Sequence, residues 1–387
     1  MYQVIVVLKF ISEQGVMAYG DDFLQAKLNE RRQQQAFRRL RLPDGKIDFC
    51  SNDYLGIVHH NLLQALLPEH QLATGSSGSR LLAGNYALIE QAEQEIAAFH
   101  QADSALIFNS GYDANLGVLA SIPQRGDTIL YDALVHASIR DGIRLSFAAS
   151  FSFQHNDMAH LEQKLQQAKL QSLANVFVVT ETVFSMDGDL CPLQELITLC
   201  KKYNAHLMID EAHATGVIGE RGEGLVQQLQ LQEQVFCRIH TFGKACGCHG
   251  AVVLGSVQLR DYLINFARSF IYSTALPEQA VAAIRASYRL FPTLINERKH
   301  LQQLIHLFQA APISYPKLPS ATAIQAVLVP GNEAVKTLAE ALQQKGFDVR
   351  PILYPTVPKG KERIRIVLHA FNTKAEVQQL TGLLNRL

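Results

Sequence analysis

Asp210 and Lys244 each close a short apolar run. His206-Leu207-Met208-Ile209-Asp210 leads into Glu211-Ala212-His213, and Ile239-His240-Thr241-Phe242-Gly243-Lys244 runs on through Gly247 and Gly250. Ligand sites of parallel sheets lie beyond the carboxyl ends of the strands, so a carboxylate and an amine on neighbouring strand ends would face one pocket. A lysine set among glycines and small residues is desolvated there, which lowers its pKa and makes a neutral amine available. The pair suits pyridoxal phosphate: the lysine forms a Schiff base, and the aspartate keeps a proton on the pyridine nitrogen so that the ring accepts carbanion electrons. An isolated Asp or Lys is usually a surface charge, but this pair comes with His213 and Thr241 attached.

The same edge offers the rest of a cradle. Ile107-Phe108-Asn109-Ser110-Gly111-Tyr112 passes from strand to helix, with Ser110 as a candidate N-cap and the Gly111 and Tyr112 amides free to face a phosphate. Most such turns bind nothing, so this one counts only beside the pair. His136 follows the run 128–131 and could stack on a pyridine ring, although a lone histidine is more often an ordinary polar residue. Ser185 lies in the loop after the run 176–180. Arg363 and Arg365 alternate with Ile364 and Ile366 and share one face of a late strand, either a solvated face or a carboxylate site, since arginine pairs with carboxylates through two bonds. Gly75-Ser76-Ser77-Gly78-Ser79-Arg80 lacks the Gly-Lys-Ser/Thr ending of a nucleotide loop and has no clear strand before it. Cys246 and Cys248 are spaced too closely for a usual zinc pair, and no metal is expected.

Positioning these residues requires a particular scaffold. Between about 85 and 255, apolar runs at 105–108, 128–131, 176–180, 206–210, 238–242 and 251–255 alternate with helical stretches such as 86–99, 158–168 and 193–203. Runs buried on both faces and separated by helices predict an α/β unit with a mostly parallel sheet covered by helices. Before it, residues 22–40 have helical spacing and read as an amphipathic arm, followed by the turn signal Pro43-Asp44-Gly45. After residue 280 a long helical stretch, 281–308, breaks near Phe291-Pro292. Strands at 326–329 and 363–368 then alternate with helices at 333–345 and 373–387, which predicts a small α+β domain. The expected division is 1–56 for an extension and arm, 57–285 for the large domain and 286–387 for the small one.

Composition narrows the function classes. The chain has 387 residues, is 48% hydrophobic and 18% charged, and balances 35 Lys+Arg against 35 Asp+Glu. That excludes disorder and gives no basic excess for nucleic-acid binding. Six scattered cysteines read as reduced thiols of a cytosolic protein. Residues 4–8 are apolar but too short for a membrane span, which needs about 20 residues. They read as an extra edge strand or an over-long start with Met17 as the true first residue, the second being favoured.

Four segments together carry a resemblance: Asp210-Glu211-Ala212-His213-Ala214-Thr215-Gly216, Thr241-Phe242-Gly243-Lys244, Val183-Phe184-Ser185-Met186-Asp187-Gly188 and Asn52-Asp53-Tyr54-Leu55-Gly56. In order and spacing, from residue 22 to the C-terminus, they closely resemble the α-oxoamine synthases, PLP-dependent transferases of fold type I. Within that family, Phe242-Gly243-Lys244 before Gly250-Ala251, and the closing Pro355-Thr356-Val357-Pro358, are most similar to the biotin-pathway branch. The resemblance implies a decarboxylative condensation of L-alanine with a pimeloyl thioester of CoA or acyl carrier protein, in a cytoplasmic homodimer with shared sites. Members using glycine with acetyl-CoA, or making sphingoid bases, have the same machinery, and a non-catalytic binding relative is a remoter alternative.

The resemblance also implies roles. Lys244 would anchor the cofactor and remove the α-proton, Asp210 would pair with the pyridine nitrogen, His213 would bond the phenolic oxygen, and His136 would stack on the ring. Ser185 would add a polar contact; Gly111, Tyr112 and Thr241 would bind phosphate, with Ser273 and Thr274 reaching it from a partner subunit. Arg365 would bind the amino-acid carboxylate with Asn52 nearby, and Arg38 and Thr356 would contact the acyl substrate. Two departures stand out: Ser77 replaces a glycine of the family's loop, and Cys246 replaces a larger apolar residue.

Overall fold

Strands apolar on both faces need a helical layer on each side, and this chain supplies two. A computed structural model describes residues 21–40, 42, 45–68, 72–171 and 174–387. The readings of residues 1–16 and of Pro43-Asp44 lie outside the described residues. The described residues open with Asp22–Gln33 (α1) and Ile47–Asp48 (β1), then Ala87–Phe99 (α2), Ser104–Phe108 (β2), Gly111–Ser121 (α3) and Thr128–Asp132 (β3). Ala137–Leu145 (α4), Ala149–Phe153 (β4), Met158–Gln171 (α5), Val176–Glu181 (β5), Leu193–Lys202 (α6) and His206–Asp210 (β6) follow. Next come Leu225–Gln228 (α7), Cys237–Thr241 (β7), Ala251–Gly255 (β8), Val257–Phe266 (α8), Arg268–Ile271 (α9), Glu278–Leu290 (α10) and Ile295–Ala310 (α11). The chain ends through Ile324–Leu328 (β9), Asn332–Gln344 (α12), Phe347–Asp348 (β10), Arg350–Ile352 (β11), Arg363–Val367 (β12) and Lys374–Leu384 (α13).

The large sheet has the order β2-β8-β7-β6-β5-β3-β4. β7, β6, β5, β3 and β4 pair in parallel, and β8 runs antiparallel to both β7 and β2. Along β5 the side chains alternate between two cores: Phe177 and Val179 pack with α3 and α4 residues, whereas Val176 and Val178 pack with α5 and α6 residues. Each such buried side chain contributes roughly 1.5–3 kcal/mol, so the runs hold their register on both faces.

A second sheet, β11-β12-β9, is antiparallel, and β1 pairs in parallel with β10. The segment after β1 is tied to the same region: Val367 N–H donates to Phe49 O at 2.9 Å and Ala370 N–H to Tyr54 O at 2.8 Å. This threading brings residues near 52 beside residues near 365.

Some sequence expectations change. The arm helix stops at Gln33 rather than continuing to 40, because Gln35 takes φ +53° and Ala36 N–H turns back to Arg31 O at 2.8 Å, a left-handed helix stop. The helix α1 buries none of its residues, leaving Phe23, Leu24 and Leu28 exposed, and Ala36 beyond it is buried. β4 is an edge strand that the apolar runs did not include: Ala149, Phe151 and Phe153 alternate with serines, and four of its five residues are exposed. The break in the long helical stretch falls at a 3₁₀ turn, Phe291–Thr293, which contains Pro292.

Candidate active site

Strand direction gathers the chemistry on one edge. The carboxyl ends of β5, β6 and β7 are adjacent, and Glu181 and Asp210 are cross-strand partners. β2 runs parallel to β7 across the antiparallel β8, so its end at Phe108 opens into α3 on the same edge. Ser110 caps α3 as expected, its hydroxyl accepting from Asp113 N–H at 3.0 Å. Gly111 lies against β7: a Cβ there would come within 3.5 Å of Thr241 Oγ1. First-turn amides, a hydroxyl and the positive end of a helix dipole thus lie together, which is a donor set for a phosphate.

At the centre, Lys244 Nζ lies 2.8 Å from His213 Nε2. Burial pulls the Lys244 amine down to about 8, against the opposing pull of Asp210 and Glu181. His213 is buried and its charged form strongly disfavoured, by burial first and then by Lys244 and Arg365, so the ring is neutral. Asp210 is buried with both oxygens held: Oδ1 accepts from Ala212 N–H at 2.7 Å and Oδ2 from Asn115 Nδ2 at 2.7 Å. A buried carboxylate fixed in this way is suited to an aromatic N–H cation. His136 is the N-cap of α4, its ring exposed and its Nδ1 2.7 Å from Ser138 Oγ. Its amide donates to Glu181, whose carboxyl burial and the Asp210 charge push up to about 8.

Of the two readings of the late arginines, the solvated face does not hold. β12 is the middle strand of its sheet, and Arg363 is buried and ion-paired with Asp187. Arg365 donates through Nε to Ser185 O at 2.7 Å and through Nη2 to Asn52 Oδ1 at 3.1 Å. It is the backbone carbonyl of Ser185 that meets Arg365. Further out, Arg38 Nη2 donates to Thr356 Oγ1 at 3.3 Å, beside a cleft of about 910 Å³ lined by Arg32, Phe37, Arg39 and Lys336 among others. Ser273 and Thr274 sit near the start of α3, where Asn109 Nδ2 donates to Thr274 O at 2.8 Å.

The glycine-rich segment does not form a nucleotide loop. Ser76 Oγ donates to Ala275 O at 2.6 Å, and Arg80 is buried against Glu93 at 2.7 Å. Ser77 has φ +52°, so it occupies a conformation that glycine adopts at less cost. Cys246 is fully buried, and all six cysteines are free.

Sequence reasoning gave no role to Tyr54, Asn115 or Glu181. Glu181 ends an apolar strand on the same edge as Asp210, so the strand-end argument could have found it. Asn115 is one helical turn past Gly111 and had no comparable signal. Tyr54 OH lies 2.6 Å from His213 Nδ1, a contact across 159 positions.

The donors fit pyridoxal phosphate: an amine, a fixed carboxylate, a neutral imidazole and a helix N-terminus converge on one edge. The chain matches the family of class I and II aminotransferases over residues 44–384 and belongs to it, within the PLP-dependent α-oxoamine synthases of fold type I. It is 43% identical to the 8-amino-7-oxononanoate synthase of Emericella nidulans, over 93% of each chain. The serine palmitoyltransferase of Sphingomonas wittichii superposes with a TM-score of 0.83 at 27% identity, covering 96% of this chain and 98% of that one. The 8-amino-7-oxononanoate synthase of Francisella tularensis gives 0.72 at 27% identity, covering 89% and 98%. Among the described residues, no helix is long and apolar enough to cross a membrane.

Proposed function

We propose that this chain is an 8-amino-7-oxononanoate synthase: it condenses L-alanine with a pimeloyl thioester, releasing carbon dioxide and the free thiol carrier. The observation that carries this reading is the convergence of Lys244, Asp210 and His213 on one strand edge, with Arg365 brought close to Lys244 and His213 from β12 of the second sheet. The near full-length similarity to synthases of that name supports the choice of substrates. Bound pyridoxal phosphate supplies an electron sink for a carbanion at the α-carbon of the amino acid.

The chain's own residues do the rest. Lys244 anchors the cofactor and, as a neutral amine, takes the α-proton. Asp210, held by Ala212 and Asn115, would keep the ring nitrogen protonated, while neutral His213 would hydrogen-bond the phenolic oxygen and His136 would cover the ring. Gly111, Tyr112 and Thr241 hold the phosphate, with Ser273 and Thr274 contributed by a second copy, and Ser185 adds a polar contact. Arg365 and Asn52 bind the alanine carboxylate, and Arg38 and Thr356 contact the acyl group. The exposed Phe23, Leu24 and Leu28 of α1 support a homodimer. The large and small domains meet near residue 285, and the protein works in the cytoplasm.

The serine palmitoyltransferase likeness supports a second reading, a sister synthase with another amino acid and acyl chain, because the shared residues do not select substrates. Carboxyl-labelled L-alanine and pimeloyl-CoA separate the two. Label in carbon dioxide, with an amino ketone of the expected mass, supports the synthase; absence of both refutes it.

A further inference from the structure

Four contacts link the amine to the late arginine. Lys244 Nζ is 2.8 Å from His213 Nε2, and His213 Nδ1 is 2.6 Å from Tyr54 OH. Tyr54 OH is 3.3 Å from Asn52 Oδ1, which accepts from Arg365 Nη2 at 3.1 Å. Tyr54 is 1% exposed and His213 is buried, so water does not replace the bond between them. A neutral imidazole carries one proton, and the partner of one ring nitrogen therefore fixes the role of the other.

We propose that Tyr54 is a positioning residue that couples the protonation of Lys244 to the carboxylate-binding end of the site by setting the tautomer of His213. When Lys244 is an ammonium, its N–H donates to His213 Nε2. The imidazole proton then sits on Nδ1 and donates to the Tyr54 oxygen, and the Tyr54 O–H donates to Asn52 Oδ1. When Lys244 is a neutral amine, Tyr54 O–H turns to Nδ1, and the imidazole proton sits on Nε2, facing the amine. The two states differ by one proton, the one Lys244 gives up. In the second state Tyr54 no longer donates to Asn52, and Asn52 Oδ1 retains Arg365 alone.

The surrounding groups permit this exchange. Burial holds the Tyr54 phenol up at about 12, opposed by Arg365, so it stays protonated while Lys244 titrates. Asp210, Glu181 and Arg365 face Lys244, and Lys244, Arg365 and His136 face His213; none displaces Tyr54 from Nδ1. The coupling rests on the proposed binding of L-alanine at Arg365, but its first readout needs neither substrate nor cofactor.

The test follows His213 ring nitrogens by ¹⁵N NMR in cofactor-free protein between pH 6 and 10, in wild type and Tyr54→Phe. Wild type is expected to move from the Nδ1–H to the Nε2–H form as Lys244 loses its proton; Tyr54→Phe is expected to hold one tautomer throughout. In the cofactor-loaded protein, Tyr54→Phe weakens L-alanine binding about fivefold, the loss of one hydrogen bond. A His213 tautomer that follows pH identically in both proteins overturns the proposal, whatever the substrate proves to be. If Tyr54→Phe does not fold, Asn52→Ala reads the same coupling from its other end. It should shift the pH of the tautomer change, and an unshifted midpoint overturns the proposal.

Discussion

Arg365 Nη2 and Asn52 Oδ1 meet at 3.1 Å although 313 positions separate them. The contact exists because β1 pairs with β10 and the chain after it is threaded against the end of β12. The guanidinium is thereby fixed at two points, Asn52 and the Ser185 carbonyl, with its orientation set before any ligand arrives. Fixed in this way, it can select a carboxylate without an ordering cost on binding. Arg365→Ala should therefore raise KM for the amino acid about 10–100-fold, the loss of charge-assisted bonds, with a smaller change in kcat. Steady-state kinetics at varied alanine reads the split; an unchanged KM would remove Arg365 from carboxylate binding.

Lys244→Ala should abolish turnover while the fold survives, because among the described residues the side chain forms no salt bridge and its hydrogen bond is to His213. Borohydride treatment followed by intact mass should fix cofactor to the wild type and not to the variant. A labelled variant would place the covalent anchor elsewhere.

Asp210→Asn removes the fixed negative charge and leaves Asn115 without its carboxylate acceptor. Turnover should fall by at least ~10², as expected for loss of one preorganised electrostatic contact. Retained kcat with cofactor bound would contradict the role given to this side chain.

His155 bridges Asp132 at 2.9 Å and Asp189 at 2.7 Å, and Asp189 flanks the loop that carries Ser185. Burial disfavours the His155 cation, but the two carboxylates outweigh it and hold the imidazolium up to about 9. A folded value above the unfolded one, about 6.5, gives stability that is complete below pH 6.5 and lost as pH rises through about 9. The melting-temperature advantage of wild type over His155→Asn should shrink between pH 6.5 and 9.5. A constant difference would mean that the charge plays no part.

Ser77 occupies left-handed backbone at φ +52°, and Ser77→Gly should stabilise the protein by about 0.5 kcal/mol, since relief of the side-chain clash exceeds the added chain entropy. Denaturant unfolding checks it; a loss of stability would show that the exposed hydroxyl matters more than the strain.

The strand edge was legible because the apolar run Leu207–Ile209 of β6 ends in a carboxylate, Asp210, and an amine, Lys244, stands just beyond β7 among glycines and small residues, whereas β7 itself carries the buried Arg238 and His240. The boundaries of β6 and β8 could be read to the residue for the same reason. β4 was missed because its apolar residues Ala149, Phe151 and Phe153 alternate with serines and form no continuous run, and β1 and β10 are only two residues each. Ser110 announced its cap by type and place. The links from Tyr54 to His213 and from Asn115 to Asp210 depend on long-range packing, which spacing along the chain does not encode.

The most direct measurement compares kcat/KM for L-alanine and glycine, each with pimeloyl-CoA and acetyl-CoA, on the purified protein loaded with pyridoxal phosphate. A clear preference for alanine with pimeloyl-CoA, yielding 8-amino-7-oxononanoate, is the expected result. Turnover confined to glycine and acetyl-CoA, or none with any pair, would contradict the assignment.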